Sequence, residues 1–102
     1  MLLKQYNELK RKRTFNFQRR NYTRKVKMRH DSILQDFLLF CEGHVKSVFD
    51  IRWTNYKAYI RMLYSKRHLS PKTISKTYKH VLKMFFEDLN LPIKVRLTER
   101  RK

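Results

Sequence analysis

Four lysines, Lys72, Lys76, Lys79 and Lys83, recur at spacings of 4, 3 and 4. On an α-helix these positions share a sector of about 60°. Thr73, Thr77 and His80 fall on the flank of that sector. A row of ammonium groups can neutralise a row of phosphates, while neighbouring hydroxyls and an imidazole can reach base edges. Like charges at these spacings oppose an isolated helix. No acid lies among them; Glu87 and Asp88 come only at the end. A stripe that works against stability makes sense as an anion-facing surface. The plainer alternative is a solvated face that happens to be all lysine.

A second basic cluster comprises Arg19, Arg20, Arg24, Lys25, Lys27 and Arg29. It spans a loop and the first turns of an expected helix. Positive charge there is unfavourable against the helix dipole, yet the free backbone N–H groups of a helix start attract phosphate. Both facts fit an anion site. An arm that folds on contact with its ligand fits the preceding residues equally well.

Other chemistry is weakly supported. Cys41 and His44 could suggest a Cys–His pair or part of a metal site, but two ligands do not make a zinc site. Cys41 falls on an apolar stripe, which favours a buried inert thiol. His30 reads as a core-edge residue, His68 stands apart, and His80 is a candidate for DNA contact. No glycine-rich phosphate loop is present. The six tyrosines mostly fall at core spacings. Trp53 reads as an anchor of its helix rather than a base-stacking platform.

The elements that must position these groups are helices. The first is expected over Leu2–Lys12, with Leu2, Tyr6 and Leu9 on one face. Phe15 and Phe17 then alternate with polar residues and can pin the basic segment onto the core. The second runs from Tyr22 to Glu42, with Val26, His30, Ile33, Leu34, Phe37, Leu38 and Cys41 inward, and stops at Gly43. Val48, Phe49 and Ile51 cover the core from a short loop. The third helix spans Trp53–Lys66, with Tyr56, Tyr59, Ile60 and Leu63 inward. The fourth carries the lysines. Ser70 is its N-cap and Pro71 its first residue. Ile74, Tyr78, Val81, Leu82, Phe85 and Leu89 form its apolar face, and Pro92 closes it.

Composition agrees with this plan. The 102 residues are 41% hydrophobic and 14% aromatic, enough for one small domain with a modest core. One glycine and two prolines argue against a turn-rich β fold. The net charge is +18, from 26 Lys+Arg against 8 Asp+Glu. Such an excess repels itself unless a polyanion neutralises it, nucleic acid first and an anionic membrane surface second. Between residues 31 and 51 the balance reverses, with Asp31, Asp36, Glu42 and Asp50 against Lys46. That part is expected to face away from the anion. The lone Cys41 permits no internal disulfide and suits a reducing compartment. The start, MLLKQYNELKRKR, has no signal-peptide pattern, and no apolar run is long enough to span a bilayer.

The stretch YKAYIRMLYSKRHLSPKTISKTYKHVLKMFFEDL resembles the core-binding (SAM-like N-terminal) domain of tyrosine recombinases, the phage-integrase family. The resemblance rests on Tyr59, Leu63, Leu69-Ser70-Pro71-Lys72-Thr73-Ile74 and Phe85-Phe86-Glu87-Asp88-Leu89, with ILQDFLLFCEG upstream. It covers about residues 22–90. Two departures are plain: His68 stands where the family's turn usually carries glycine, and a Thr and Tyr common early in the long helix are replaced near Val26 and His30.

The resemblance implies a small all-α four-helix bundle with basic extensions: an N-terminal helix and arm at 1–21, the core at 22–90, and a basic tail or linker at 91–102. It implies double-stranded DNA binding, with the second and fourth helices entering adjacent major grooves. The DNA-binding residues on this reading are Arg19, Arg20, Arg24, Lys25, Lys27, Arg29, Arg67, His68, Lys72, Thr73, Lys76, Thr77, Lys79, His80 and Lys83. The family's chemistry resides in a separate C-terminal domain, so no catalysis, cofactor or metal is expected of this chain. Expected partners are duplex DNA and, on it, a recombinase or copies of the chain itself, with neither a membrane nor a small-molecule substrate. The expected location is cytoplasmic and DNA-associated. A small basic RNA-binding protein and a helix-turn-helix regulator built on residues 53–88 are the alternatives. A membrane-surface protein is disfavoured, because the apolar faces build a bundle rather than one interfacial helix.

Overall fold

The computed structural model describes residues 1–96. Its helices are α1 (Leu2–Arg11), α2 (Asn16–Arg19), α3 (Arg24–Cys41), α4 (Trp53–Ser65), α5 (Pro71–Thr73) and α6 (Lys79–Asp88). A 3-10 turn, Val48–Asp50, precedes α4, and a π-helical turn, Ile74–Tyr78, joins α5 to α6 into one continuous run. Four long helical elements therefore build an all-α fold, and no strand occurs among the described residues.

The expected apolar faces are the buried ones. Ile33, Leu34, Phe37, Leu38 and Cys41 of α3, Tyr56, Tyr59, Ile60 and Leu63 of α4, and Ile74, Val81, Leu82, Phe85 and Leu89 of the final run all enter the core. The middle of that core is aromatic. Phe85 lies 5.5 Å from Phe15, 5.8 Å from Phe86 and 6.5 Å from both Tyr6 and Phe37, measured between ring centroids. Phe37 in turn meets Tyr59 edge-on at 5.1 Å. Phe85 and Phe86 are adjacent in sequence, so they point about 100° apart on the helix. Both are buried because α6 is covered from more than one side.

Residues 1–21, expected as an N-terminal helix and arm, pack against the rest of the chain. Leu2, Tyr6, Phe15 and Phe17 are buried. The Tyr6 hydroxyl donates to Asp31 at 2.7 Å, and the Lys10 ammonium donates to the same carboxylate at 2.8 Å. The Leu2 N–H donates to Glu42 at 3.1 Å. Gln5 clasps the loop before α4, donating to the Ser47 hydroxyl at 3.1 Å and accepting from the Val48 N–H at 2.8 Å. One-turn α2 is held by Asp88, which accepts from the Asn16 backbone N–H at 3.0 Å and from its side-chain amide at 2.7 Å. At the other end, Ile93 is buried and Leu91 and Val95 pack against the core. The expected tail thus begins as packed chain; its residues 97–102 lie outside the described ones.

Two aromatic expectations are corrected. Phe49 is 52% exposed and Trp53 50% exposed, so neither covers the core. The 3-10 turn places Val48 inward and the next residue outward, and Trp53 sits at the first turn of α4 with Lys57 over its ring at 5.1 Å.

Helix ends explain how a chain with one glycine turns so often. Gly43, just past α3, has φ +89, as expected of a left-handed stop. Arg13, His68 and Asn90 do the same work after α1, α4 and α6, with φ of 55, 55 and 58. Asn90, rather than Pro92, ends the last helix, and the Leu91 N–H returns to the Phe86 carbonyl at 2.9 Å. His68 occupies the position where the resembled family uses glycine, and its backbone has the conformation that glycine tolerates best. Its side chain is exposed. His68→Gly is therefore expected to stabilise the fold by about 1 kcal/mol, which raises the melting midpoint by roughly 4–8 °C. Thermal unfolding by circular dichroism checks this; a lowered midpoint would show that the imidazole makes a needed contact.

Candidate nucleic-acid interface

α3 packs against α6, and the N-terminal half of α3 lies beside the π turn. Between them is a cleft of about 220 Å³, lined by Tyr22, Val26, Arg29, His30, Lys76, Thr77, His80 and Val81. The two basic clusters, distant in sequence, therefore meet in one place. Arg29 comes from the first; Lys76, Thr77 and His80 come from the second. No carboxylate lines the cleft.

The π turn decides how the lysine ladder is presented. A π turn closes i→i+5 bonds and so winds more slowly than an α-helix. Here the Lys79 N–H reaches the Ile74 carbonyl. The ladder is consequently not one straight stripe. Lys72 and Lys76, before and within the turn, are exposed; Lys79 and Lys83, after it, are half-buried. Lys83 donates to Glu87 at 2.7 Å, so an acid does relieve the far end of the row.

Several expected contacts are committed elsewhere. Arg67 donates to both oxygens of Asp36, at 2.7 and 3.0 Å, and ties the end of α4 to α3. Tyr59 donates to the same carboxylate at 2.6 Å. Burial alone would raise the Asp36 carboxyl, but these partners outweigh it and hold it below the usual range. Thr73 serves the helix cap: its N–H donates to the Ser70 hydroxyl at 3.1 Å, which in turn donates to the Thr73 hydroxyl at 3.0 Å. Arg19 closes the turn after α1, donating to the Arg13 and Thr14 carbonyls and to Asn16. His68 lies at the left-handed turn, and neither it nor Arg67 lines the cleft.

The other cations of the first cluster do not line the cleft. Arg20 lies over the Tyr22 ring at 6.0 Å, and Tyr22 is a cleft wall. Arg24 and Lys25 are exposed on the first turn of α3 and Lys27 is half-buried. That first turn holds no acid, and the last turn holds no base. Thr23 caps it, accepting from the Val26 N–H at 3.3 Å. Against the helix dipole this charge order is the unfavourable one, costing about 0.3–1 kcal/mol per charge at low salt. Stability does not account for it; a bound anion would.

Four walls of the cleft were not among the expected site residues: Tyr22, Val26, His30 and Val81. His30 is only 5% exposed, with its ring 5.4 Å from both Phe17 and Tyr22. Its burial, followed by the charges of His80, Arg29 and Arg20, lowers its pKa from the ordinary histidine value. The available signal was a histidine inside an apolar stripe, one residue from the end of a basic cluster.

The acids have the opposite assignment. Asp31, Asp36, Glu42, Glu87 and Asp88 all bind groups of the chain itself. Asp31, Asp36, Glu42 and Asp88, half of the eight acids, hold one element to another. Cys41 is 1% exposed, and burial followed by the nearby Glu42 pushes its thiol up to about 12. No group of three or more His, Cys, Asp or Glu that could hold a metal occurs among the described residues. No helix among them is long and apolar enough to cross a membrane.

Comparison with protein-family models, with curated proteins and with solved structures finds no match to this chain.

Proposed function

We propose that the chain is a double-stranded DNA-binding domain of the tyrosine-recombinase core-binding type, and that α3 and the α5–α6 run clamp one side of the duplex. The observation that carries the reading is the carboxylate-free cleft where Arg29 meets Lys76, Thr77 and His80. Arg20, Arg24, Lys25 and Lys72 supply further phosphate contacts around it. An α-helix with side chains is about 10–12 Å across and fits the major groove. In this reading the described residues bind and orient DNA and break no bond. Tyr6, Tyr56 and Tyr59 are core residues whose hydroxyls burial pushes up, and Cys41 is buried likewise. A recombinase, or further copies of the chain, would be partners on the same DNA.

A second reading, single-stranded or RNA binding, is favoured by the exposed rings of Phe49 and Trp53, on which bases could stack. These rings do not line the cationic cleft, which is why duplex DNA is preferred. The test is binding to duplex DNA, single strands and structured RNA at several salt concentrations. Duplex preference is expected, with log affinity falling against log salt by about 0.9 per phosphate neutralised. Equal affinity for all three would replace this reading with general polyanion binding.

A further inference from the structure

The cleft contains two imidazoles, and a backbone phosphate alone would not call for them. His30 forms the inner wall from α3, and His80 the opposite wall from α6. Arg29 and Lys76 stand beside them. Among the described residues, none of these four makes a hydrogen bond or ion pair to a protein group. The other walls are Val26, Val81, Thr77 and Tyr22. We propose that this cleft is a proton-coupled phosphate site, in which one phosphate sits among Arg29, Lys76 and His80 and its arrival charges an imidazole. The inference rests on the nucleic-acid reading for the source of that phosphate and adds the coupling to pH.

The charges around the two rings give the direction. Arg20 approaches His30 from the loop before α3, Arg29 from α3 itself, and His80 from α6. On the His80 side, Lys76 lies one turn before it and Lys83 one turn after, the latter paired with Glu87. Asp31 bonds to Tyr6 and Lys10, and Asp88 bonds to Asn16 and lies near the charges of Arg19 and Arg20. In the free protein, therefore, only cations and desolvation act on His30, and both favour its neutral form. A dianionic or monoanionic phosphate reverses that balance. Raising an imidazole pKa on binding means proton uptake, so affinity rises as pH falls through the histidine range. One coupled proton allows at most about a tenfold gain per pH unit, and a total of roughly tenfold is expected between pH 8 and pH 6.

The experiment uses the full chain and a short duplex at fixed ionic strength, with histidine ring protons followed by NMR across pH, with and without duplex, and again with inorganic phosphate. The expected result is that His30 titrates at higher pH when either anion is present. Affinity for duplex should rise about tenfold from pH 8 to pH 6 in the wild type and stay nearly flat in H80Q/H30F. If H30F does not fold, H80Q and the wild-type ring titrations carry the test. Unmoved ring titrations with tight duplex binding would overturn the inference and leave the DNA reading standing. Rings that respond to phosphate with no duplex binding would keep the anion site and overturn the DNA reading. Equal pH dependence in wild type and variants would assign the protons to His44 or His68 and overturn the coupling.

Discussion

Replacing Arg29 and Lys76 together by alanine is expected to weaken duplex binding about a hundredfold, because each charge-assisted phosphate contact contributes roughly 1.5 kcal/mol. Both side chains line the same cleft and neither has a protein partner among the described residues. The loss should be shared across sequences, since phosphate contacts position and base contacts specify. The salt slope should shrink by about 2, one for each contact removed. Stability should hold or rise slightly, because two cations leave a surface that repels itself. The control is Lys57→Ala with Arg61→Ala, which removes the same charge from exposed positions of α4 outside the cleft. If both double variants lose affinity equally, net charge binds the DNA and the cleft has no special part. If the melting midpoint of R29A/K76A falls sharply, the residues are packing rather than contacting a ligand.

The second large effect concerns the core. Phe85 is 1% exposed and its ring meets those of Tyr6, Phe15, Phe37 and Phe86. It joins α6 to α1, to the segment before α2 and to α3, so truncation opens a cavity that all of them share. Phe85→Ala should cost about 3–5 kcal/mol. Domains of this size have about 5–15 kcal/mol in total, and the charge excess argues for the lower end. The melting midpoint should therefore drop by roughly 20 °C, to the margin of folding at room temperature. Saturating duplex DNA should restore part of this loss, since a ligand that binds only the folded form stabilises it by mass action, about 2.7 kcal/mol at a hundred times Kd. Calorimetry with and without duplex measures both effects. A loss under about 1 kcal/mol would mean that the aromatic cluster is not the organising centre of the fold.

The large-scale plan was legible because it depends on local chemistry. Periodicity placed the apolar faces of α3, α4 and the final run. Ser70 and Pro71 marked one helix start, and Gly43 marked one stop. Both basic clusters were visible as charge. The details that remained hidden depend on which groups meet in three dimensions. Nothing local pairs Arg67 with Asp36, or Asp88 with Asn16. Arg13 gives no sign of its left-handed backbone, while His68 and Asn90 give only the weak one that histidine and asparagine adopt it more often than most residues. The π turn was equally hidden: Ile74, Tyr78, Val81 and Leu82 fit an unbroken α-helix by spacing alone. That turn matters most for the site, because it splits a straight lysine ladder into an exposed half and a half-buried one.

The acids teach the same lesson from the other side. Their excess in the middle of the sequence was read as a surface facing away from an anion. In the fold, Asp31, Asp36 and Glu42 act as tethers for α1 and α4. These bonds hold the helices together while the cations that line the cleft keep no acid beside them.

The most direct test of the account is a titration of the labelled chain with duplex DNA, followed amide by amide in NMR spectra. The largest shifts are expected on residues 20–30 and 72–80, the two sides of the cleft, with little change over residues 36–42 and 48–57. Shifts centred on Phe49 and Trp53, or spread evenly over every exposed lysine and arginine, would contradict it.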